Sequence, residues 1–312
     1  NPILFVEINE NNYIFVAGVY DESQNLVIVE KVIAKCSEFK KNKFVNINDG
    51  ITAIRKNVEI IENKLKYVFR DVTIIIDDLE YSCLNISGFK KLNGSQVLKE
   101  NISYILNSIK LAVSENEINK NILHIFNSKS CLDGNNTENL PIGSFGNFYN
   151  HELTFFLIGN NDLKNINQIF NKSNLAIKKV FLKSFTEGVQ LVNQKKIETF
   201  FKININQETS KVIFFDQASF RYSEQFNFGT NIIFKDIEKI CSINNKTIVD
   251  FLSNSINKDN NYSDNDFLEE KYFTKKNFRK IRKKLIIDIA DARINELVDI
   301  ILNKNINTKS FK

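Results

Sequence analysis

Methionine and tryptophan are missing from the 312 residues, and proline, histidine and cysteine number only two, two and four. With no methionine at its start, the sequence is expected to begin inside a longer protein. His124 and His151 are too few for a metal centre of three or four ligands, and nothing beside them supplies the rest. No metal site is expected, and both read as ordinary strand-edge histidines. Cys36, Cys83, Cys131 and Cys241 lie far apart with no C-x-x-C pair, which points to free thiols in a reducing compartment. Cys131 near Asp133 has no base placed by sequence, so it reads as structural rather than nucleophilic. No apolar run approaches the roughly 20 residues that span a bilayer, and no cleavable signal pattern is present. The expected compartment is the cytoplasm.

Phenylalanine is abundant at 27, alongside many Asn, Lys and Ile, a bias of the kind AT-rich codons produce. Hydrophobic residues make 43% and charged residues 25%, within the globular range, and the length suffices for two domains. The net charge of +5 comes from lysines scattered along the chain, so no nucleic-acid partner is expected.

Alternation predicts three antiparallel strands at Ile3–Ile8, Tyr13–Tyr20 and Leu26–Ala34. Asp49 is expected to cap a helix carrying Ile51, Ile54, Val58, Ile61, Leu65 and Val68 on one stripe. The apolar run Val72–Ile76 reads as a buried parallel strand, closed by Asp77 and Asp78, a pair suited to turn solvation or to a cation. A compact insertion follows. It has a strand at Tyr81–Lys90, a helix capped by Ser95 with Leu98, Ile102, Ile105, Ile109 and Ala112, and strands at Ile122–Phe126 and Leu153–Ile158. Then come a helix over Asp162–Lys172, a strand over Ile177–Leu182 and a helix over Phe185–Asn193. A second meander at Thr199–Ile205, Ser210–Phe215 and Phe220–Asn227, with a helix at Asn231–Ile240, suggests an internal duplication. The polar stretch Ile256–Asp266 reads as an exposed loop, and a long helix is predicted over Lys275–Asn303 with apolar positions Phe278, Ile281, Leu285, Ile289, Ala292 and Leu297.

Two strand–turn–strand units, around Asn9–Asn12 and Asn204–Lys211, resemble the phosphate-binding hairpins of the actin and Hsp70 superfamily. Phosphate turns there are glycine-rich so that backbone N–H groups can close on the anion. Here the first turn reads Asn9-Glu10-Asn11-Asn12. The second has Asn204 at the leading Asp position, Asn206, Gln207 and Glu208 at the glycines, then Thr209, with Lys211 where a second Asp belongs. Glu10 and Glu208 would repel a triphosphate. Lys211 suits phosphate but not Mg²⁺.

Ordered anchors resemble the FtsA family, the bacterial division actins. They are Val6-Glu7-Ile8 with Gly18, Ile122-Leu123-His124-Ile125, Cys131-Leu132-Asp133, Pro141-Ile142-Gly143 with Gly146, Gly229-Thr230-Asn231-Ile232-Ile233, and Asp291–Val298. The resemblance implies an actin-like, two-domain α/β fold of duplicated ribonuclease-H-like halves with an inserted 1C-type (SHS2-like) subdomain. It places subdomain 1A at 1–80 and 159–190, 1C at 81–158, the first part of 2A at 191–230, 2B at 231–303 and a tail at 304–312. The rest of 2A, the adenine loop and a membrane helix are expected beyond residue 312.

The same resemblance implies a division scaffold that tethers FtsZ polymers to the inner membrane, self-associates through 1C and sits at the cytoplasmic face. The adenine-side Glu and Lys of the family are missing near Thr247–Asn254. ATP is therefore the one cofactor to test, and no hydrolysis or catalytic residue is expected. Arg279, Lys283 and Arg293 fall on basic positions of the family's FtsZ-tail site, although a run such as Arg279–Lys284 equally suits a solvated helix face. A pilus-assembly adaptor of the PilM type and, further off, a sugar or acetate kinase of the superfamily are the alternatives. The kinase needs intact phosphate loops and a catalytic Asp that this chain does not offer.

Overall fold

A computed structural model describes residues 1–9, 11–40, 43–77, 79–255, 262–273, 278–309 and 311. The chain divides into two compact units. One comprises Asn1–Phe201 with Ile213–Ser223, the other Lys202–Val212 with Glu224–Lys312.

The first unit opens with β1 (Ile3–Ile8), β2 (Asn12–Tyr20) and β3 (Leu26–Lys35), followed by a short ribbon of β4 (Phe39–Lys40) and β5 (Lys43–Phe44). Helix α1 (Ile47–Leu65) leads into β6 (Asp71–Ile76). In β1 and β6 every second residue is buried. Leu4, Val6 and Ile8 meet Val72, Ile74 and Ile76 beneath the α1 stripe of Ile51, Ile54, Val58 and Ile61. The cap of α1 is Asn46, not Asp49: the Asn46 side chain accepts from the N–H groups of Asn48 and Asp49, and its amide donates to the Asp49 carboxylate at 2.6 Å. Val68 lies past the left-handed Lys66 that ends the helix and is 72% exposed, so it leaves the stripe.

Between β6 and the next element of the main sheet, the chain builds a separate antiparallel sheet. Its strands are β7 (Tyr81–Lys91), β8 (Lys120–Leu132), β9 (Asn135–Thr137) and β10 (Phe148–Gly159), in the order β7-β10-β8-β9, with α2 (Lys99–Asn116) packed on one face. Helix α2 starts at Lys99 rather than after Ser95. Residues 92–97 are instead hydrogen-bonded to the 143–147 segment, and the Asn101 side chain accepts from the Leu98 N–H at 2.7 Å. Leu98 is exposed, and the buried positions of α2 are Ile105, Ile109 and Val113.

Helix α3 (Asn160–Lys172) returns to the first core, and β11 (Ala176–Leu182) joins β6 in parallel. The main sheet therefore runs β11-β6-β1-β2-β3, with its three parallel strands β11, β6 and β1 side by side. Helix α4 (Lys183–Lys195) follows, then the second meander of β12 (Phe200–Ile205), β13 (Ser210–Asp216) and β14 (Ser219–Phe226). The many phenylalanines concentrate here. Phe156 and Phe220 stack at 4.3 Å, and Phe215 and Phe220 at 4.9 Å, with Phe126 and Phe185 beside them.

The second unit carries α5 (Thr230–Cys241), α6 (Asn245–Ser255), α7 (Lys283–Val298) and a short α8 (Ile306–Lys309). Its core joins Ile233, Ile237, Ile248, Phe251, Leu268 and Ile286. Helix α6 has no counterpart in the sequence reading. The long helix expected from Lys275 begins only at Lys283, and a π-helical stretch, Asp299–Lys304, continues it. Residues 274–277 lie outside the described residues. Ile281 is bonded to Leu268 in an extended bridge instead of a helical turn. The buried stripe consequently falls on Ile286, Ala290 and Leu297, while Phe278, Leu285 and Ala292 are exposed. Of the expected loop Ile256–Asp266, residues 256–261 lie outside the described residues and Tyr262–Asp266 carry no helix or strand. Among the described residues no helix is long and apolar enough to cross a membrane.

Candidate functional site

Parallel strands place their ligand sites beyond their carboxyl ends, where loops and helix N-termini converge. In the first unit Ile8, Ile76 and Leu182 are in register across β1, β6 and β11, so the residues around them lie at one level. The turn after β1 is closed on itself. The Asn9 side-chain oxygen accepts from the N–H groups of Asn11 (3.1 Å) and Asn12 (2.8 Å), and the Asn9 N–H donates to the Asn12 carbonyl. Two amides that a glycine turn could aim at an anion are thus used internally. Glu10 lies outside the described residues.

Beside this turn, Lys183 reaches the Glu7 carboxylate at 2.7 Å and the Asp77 carboxylate at 3.2 Å. The two acids hold the lysine pKa above its ordinary value even though burial pulls it down. Lys183 was not singled out from the sequence. The available signal was a charged residue at the end of each of three apolar strands. Asp78 lies outside the described residues.

The second phosphate-type turn, in the second unit, is closed in another way. The Asn206 and Gln207 carbonyls accept the N–H groups of Thr230 (2.9 Å) and Asn231 (3.0 Å), which are the first amides of α5. A helix amino end is a ready anion site because its first N–H groups are free. Here the hairpin takes two of them. The Asn231 side chain also donates to Glu208. Gly229 permits this approach, since a Cβ there would stand 2.2 Å from the Asn206 carbonyl oxygen. Its φ of −157° suits any residue, so closeness and not conformation demands the glycine. The Asn206 N–H donates to the Thr209 carbonyl across the turn. Asn204 lies within β12, and Lys211 is buried at 6% exposure in β13 instead of standing open in the turn. Among the described residues no three His, Cys, Asp or Glu side chains converge on a metal position.

No protein-family model matches the chain. The curated cell division protein FtsA of Buchnera aphidicola subsp. Schizaphis graminum is 21% identical over 307 residues, covering 97% of this chain and 72% of that protein. A solved PilM-PilN type IV pilus biogenesis complex superposes with a TM-score of 0.52 at 8% identity, over 78% of this chain and 67% of its own. The chain is an FtsA-like, actin-fold protein. MreB5 of Spiroplasma citri bound to ADP is a further similar structure, with a TM-score of 0.45 at 8% identity over 99% of this chain and 81% of its own.

The three basic residues expected to dock a partner on this FtsA-like chain have different surroundings. Arg293 is held by Asp236 at 2.5 Å and Glu296 at 2.6 Å. Lys283 lies 3.6 Å from Glu269 and 5.7 Å from the centre of the Tyr262 ring. Arg279 is exposed in the segment before α7. It lines a small pocket with Asn244, Thr247 and Tyr272, whereas a separate groove of about 400 Å³ is lined by the exposed cations Lys280, Arg282 and Lys284, the apolar Ile240 and Leu285, and Asp264 and Asp288. Lys284 is 3.7 Å from Asp264.

His124 lies in β8 where that strand is paired only with β10, and His151 lies in β10, between β7 and β8. His124 stacks 6.0 Å from Phe181, and burial pushes its pKa down to about 4, while burial lowers that of His151 as well. A histidine held neutral in the fold binds fewer protons than its unfolded form between the two pKa values. Its contribution is therefore full above about pH 6.5 and is lost as pH falls toward 4. Denaturation at pH 7 and pH 4.5 is expected to show a loss that His124→Phe reduces by about 2 kcal/mol, after discounting for residual solvent. An identical loss in the variant would refute this assignment.

Proposed function

We propose that this FtsA-like chain is a cell-division scaffold that recruits FtsZ polymers to the cytoplasmic face of the inner membrane and does so without hydrolysing ATP. One observation carries the reading: both phosphate-type turns are closed by the chain's own groups, on a chain similar to a division protein along nearly its whole length. A scaffold keeps its surfaces when turnover is gone, whereas a kinase loses everything. The insertion built from β7, β8, β9, β10 and α2 takes the part of subdomain 1C and supplies self-association.

The acidic carboxy-terminal tail of FtsZ docks, on this reading, in the groove before α7. Its apolar side chains meet Ile240 and Leu285 and its carboxylates meet Lys280 and Arg282. Arg279, exposed one residue before Lys280, adds to the positive charge met by the tail, while Lys283 and Arg293 keep their own acidic partners and shape the site indirectly. A labelled FtsZ-tail peptide is expected to bind in a salt-sensitive manner, and Lys280→Glu with Arg282→Glu to weaken it at least about tenfold. Arg293→Ala is expected to change stability more than affinity. ATP, titrated alongside, is expected not to bind. A folded wild-type chain that ignores the peptide would overturn the scaffold in favour of a pilus-type adaptor, and phosphoryl transfer above background would make the chain a kinase.

A further inference from the structure

We propose that the Lys183 ammonium is a tethered cation, holding from within the chain the place between Glu7 and Asp77 that a divalent metal ion would otherwise fill. The inference rests on the closed-turn reading of the phosphate site and concerns the same end of the sheet.

Three observations carry it. First, the acids arrive from the carboxyl ends of adjacent parallel strands, Glu7 opposite Ile75 near the end of β1 and Asp77 just past β6, and Lys183 begins the helix that follows β11. That is the edge at which α/β sheets bind ligands. Second, Lys183, Glu7 and Asp77 have side chains only 26%, 20% and 26% exposed, so water screens the acids incompletely. Two carboxylates sharing such a space repel unless a cation or a proton separates them. Third, Lys183 is the first residue of α4, where the helix dipole disfavours positive charge. A lysine at a helix amino end is poorly placed for the helix and well placed only for the two acids.

An ammonium does this work with loose geometry, through nitrogen-to-oxygen distances of 2.7 and 3.2 Å, where Mg²⁺ demands oxygen ligands at roughly 2.0–2.1 Å in an octahedron. The single charge is also delivered on a stem, so the carboxyl ends of β1 and β6 stay tied to α4 whatever the ionic composition around them. In this chain the lysine fixes the end of the sheet in one arrangement.

The test is Lys183→Met, which keeps an apolar stem and removes the charge. Thermal unfolding and Mn²⁺ titration are run on the full chain and on the variant, each with chelator and with millimolar Mn²⁺. The variant is expected to lose stability in chelator, to recover it in Mn²⁺, and to bind Mn²⁺ at least about tenfold more tightly than the wild type. Adding Glu7→Gln is expected to abolish the recovery. Should Lys183→Met not fold in chelator, refolding in Mn²⁺ becomes the readout, and failure in both conditions overturns the proposal. Equal Mn²⁺ binding by both forms, or a variant that Mn²⁺ does not rescue, overturns it as well. Mg·ATP binding by the wild type, measured in parallel, would overturn the closed-turn reading by itself.

Discussion

Phe156→Ala is expected to destabilise the chain by about 3–5 kcal/mol, the cost of removing a large aromatic from a well-packed core. The Phe156 ring is fully buried. It lies 4.3 Å from Phe220 at 19°, 5.7 Å from Phe126 nearly edge-on, and 5.8 Å from Tyr81. Phe220 in turn stacks on Phe215. The rings around Phe156 are held on separate strands, Tyr81 on β7, Phe126 on β8 and Phe220 on β14, which limits their collapse into the space that alanine leaves. Offset aromatic pairs add roughly 0.5–1.5 kcal/mol beyond the area they bury. Urea unfolding followed by circular dichroism checks the figure, with Phe156→Leu as a milder companion at less than half the cost. A loss below about 1 kcal/mol for alanine would mean that the aromatic cluster relaxes freely, against the close packing seen here.

Gly229→Val is expected to cost about 2–4 kcal/mol by a different route. The new Cβ would collide with the carbonyl oxygens of Asn206 and Gln207, at 2.2 and 2.6 Å. Backbone at both contacts leaves no flexible side chain to swing aside. The hairpin must then separate from α5, which releases the Thr230 and Asn231 amides from their acceptors. Hydrogen exchange at those two amides is expected to accelerate together with the loss of stability. Unchanged exchange would show that the hairpin does not cap the helix in solution. Gly229→Ala tests the same contact, because even the smallest side chain carries the colliding atom.

The strands of the main sheet were legible because burial writes itself into alternation. Leu4, Val6 and Ile8 are buried at every second position, as are Val72, Ile74 and Ile76. Helix ends were harder. Asp49 and Ser95 both resemble caps, yet Asn46 lies one turn earlier with better-placed amides, and Ser95 is drawn into pairing with a segment about fifty residues away. The start of α7 was misplaced because Phe278 and Ile281 keep a helical spacing that the bridge to Phe267 and Leu268 overrides. At the candidate site, the sequence displayed the missing glycines but not their replacements. Asn9 folding onto its own turn is local and was open to recognition. The triad of Glu7, Asp77 and Lys183 spans 176 residues, and no periodicity connects its members. The same holds for Arg293, whose basic position was plain while its commitment to Asp236, on another helix, was not.

The hairpin lying on the amino end of α5 meets the helix through its backbone. The acceptors in that contact are the main-chain carbonyls of Asn206 and Gln207, which any residue at those positions would present, and only the bond from the Asn231 side chain to Glu208 depends on a side chain of the turn. Side-chain changes within the turn are therefore expected to leave the closure standing, and a side chain at Gly229, where the two backbones meet, is the change that pries it open.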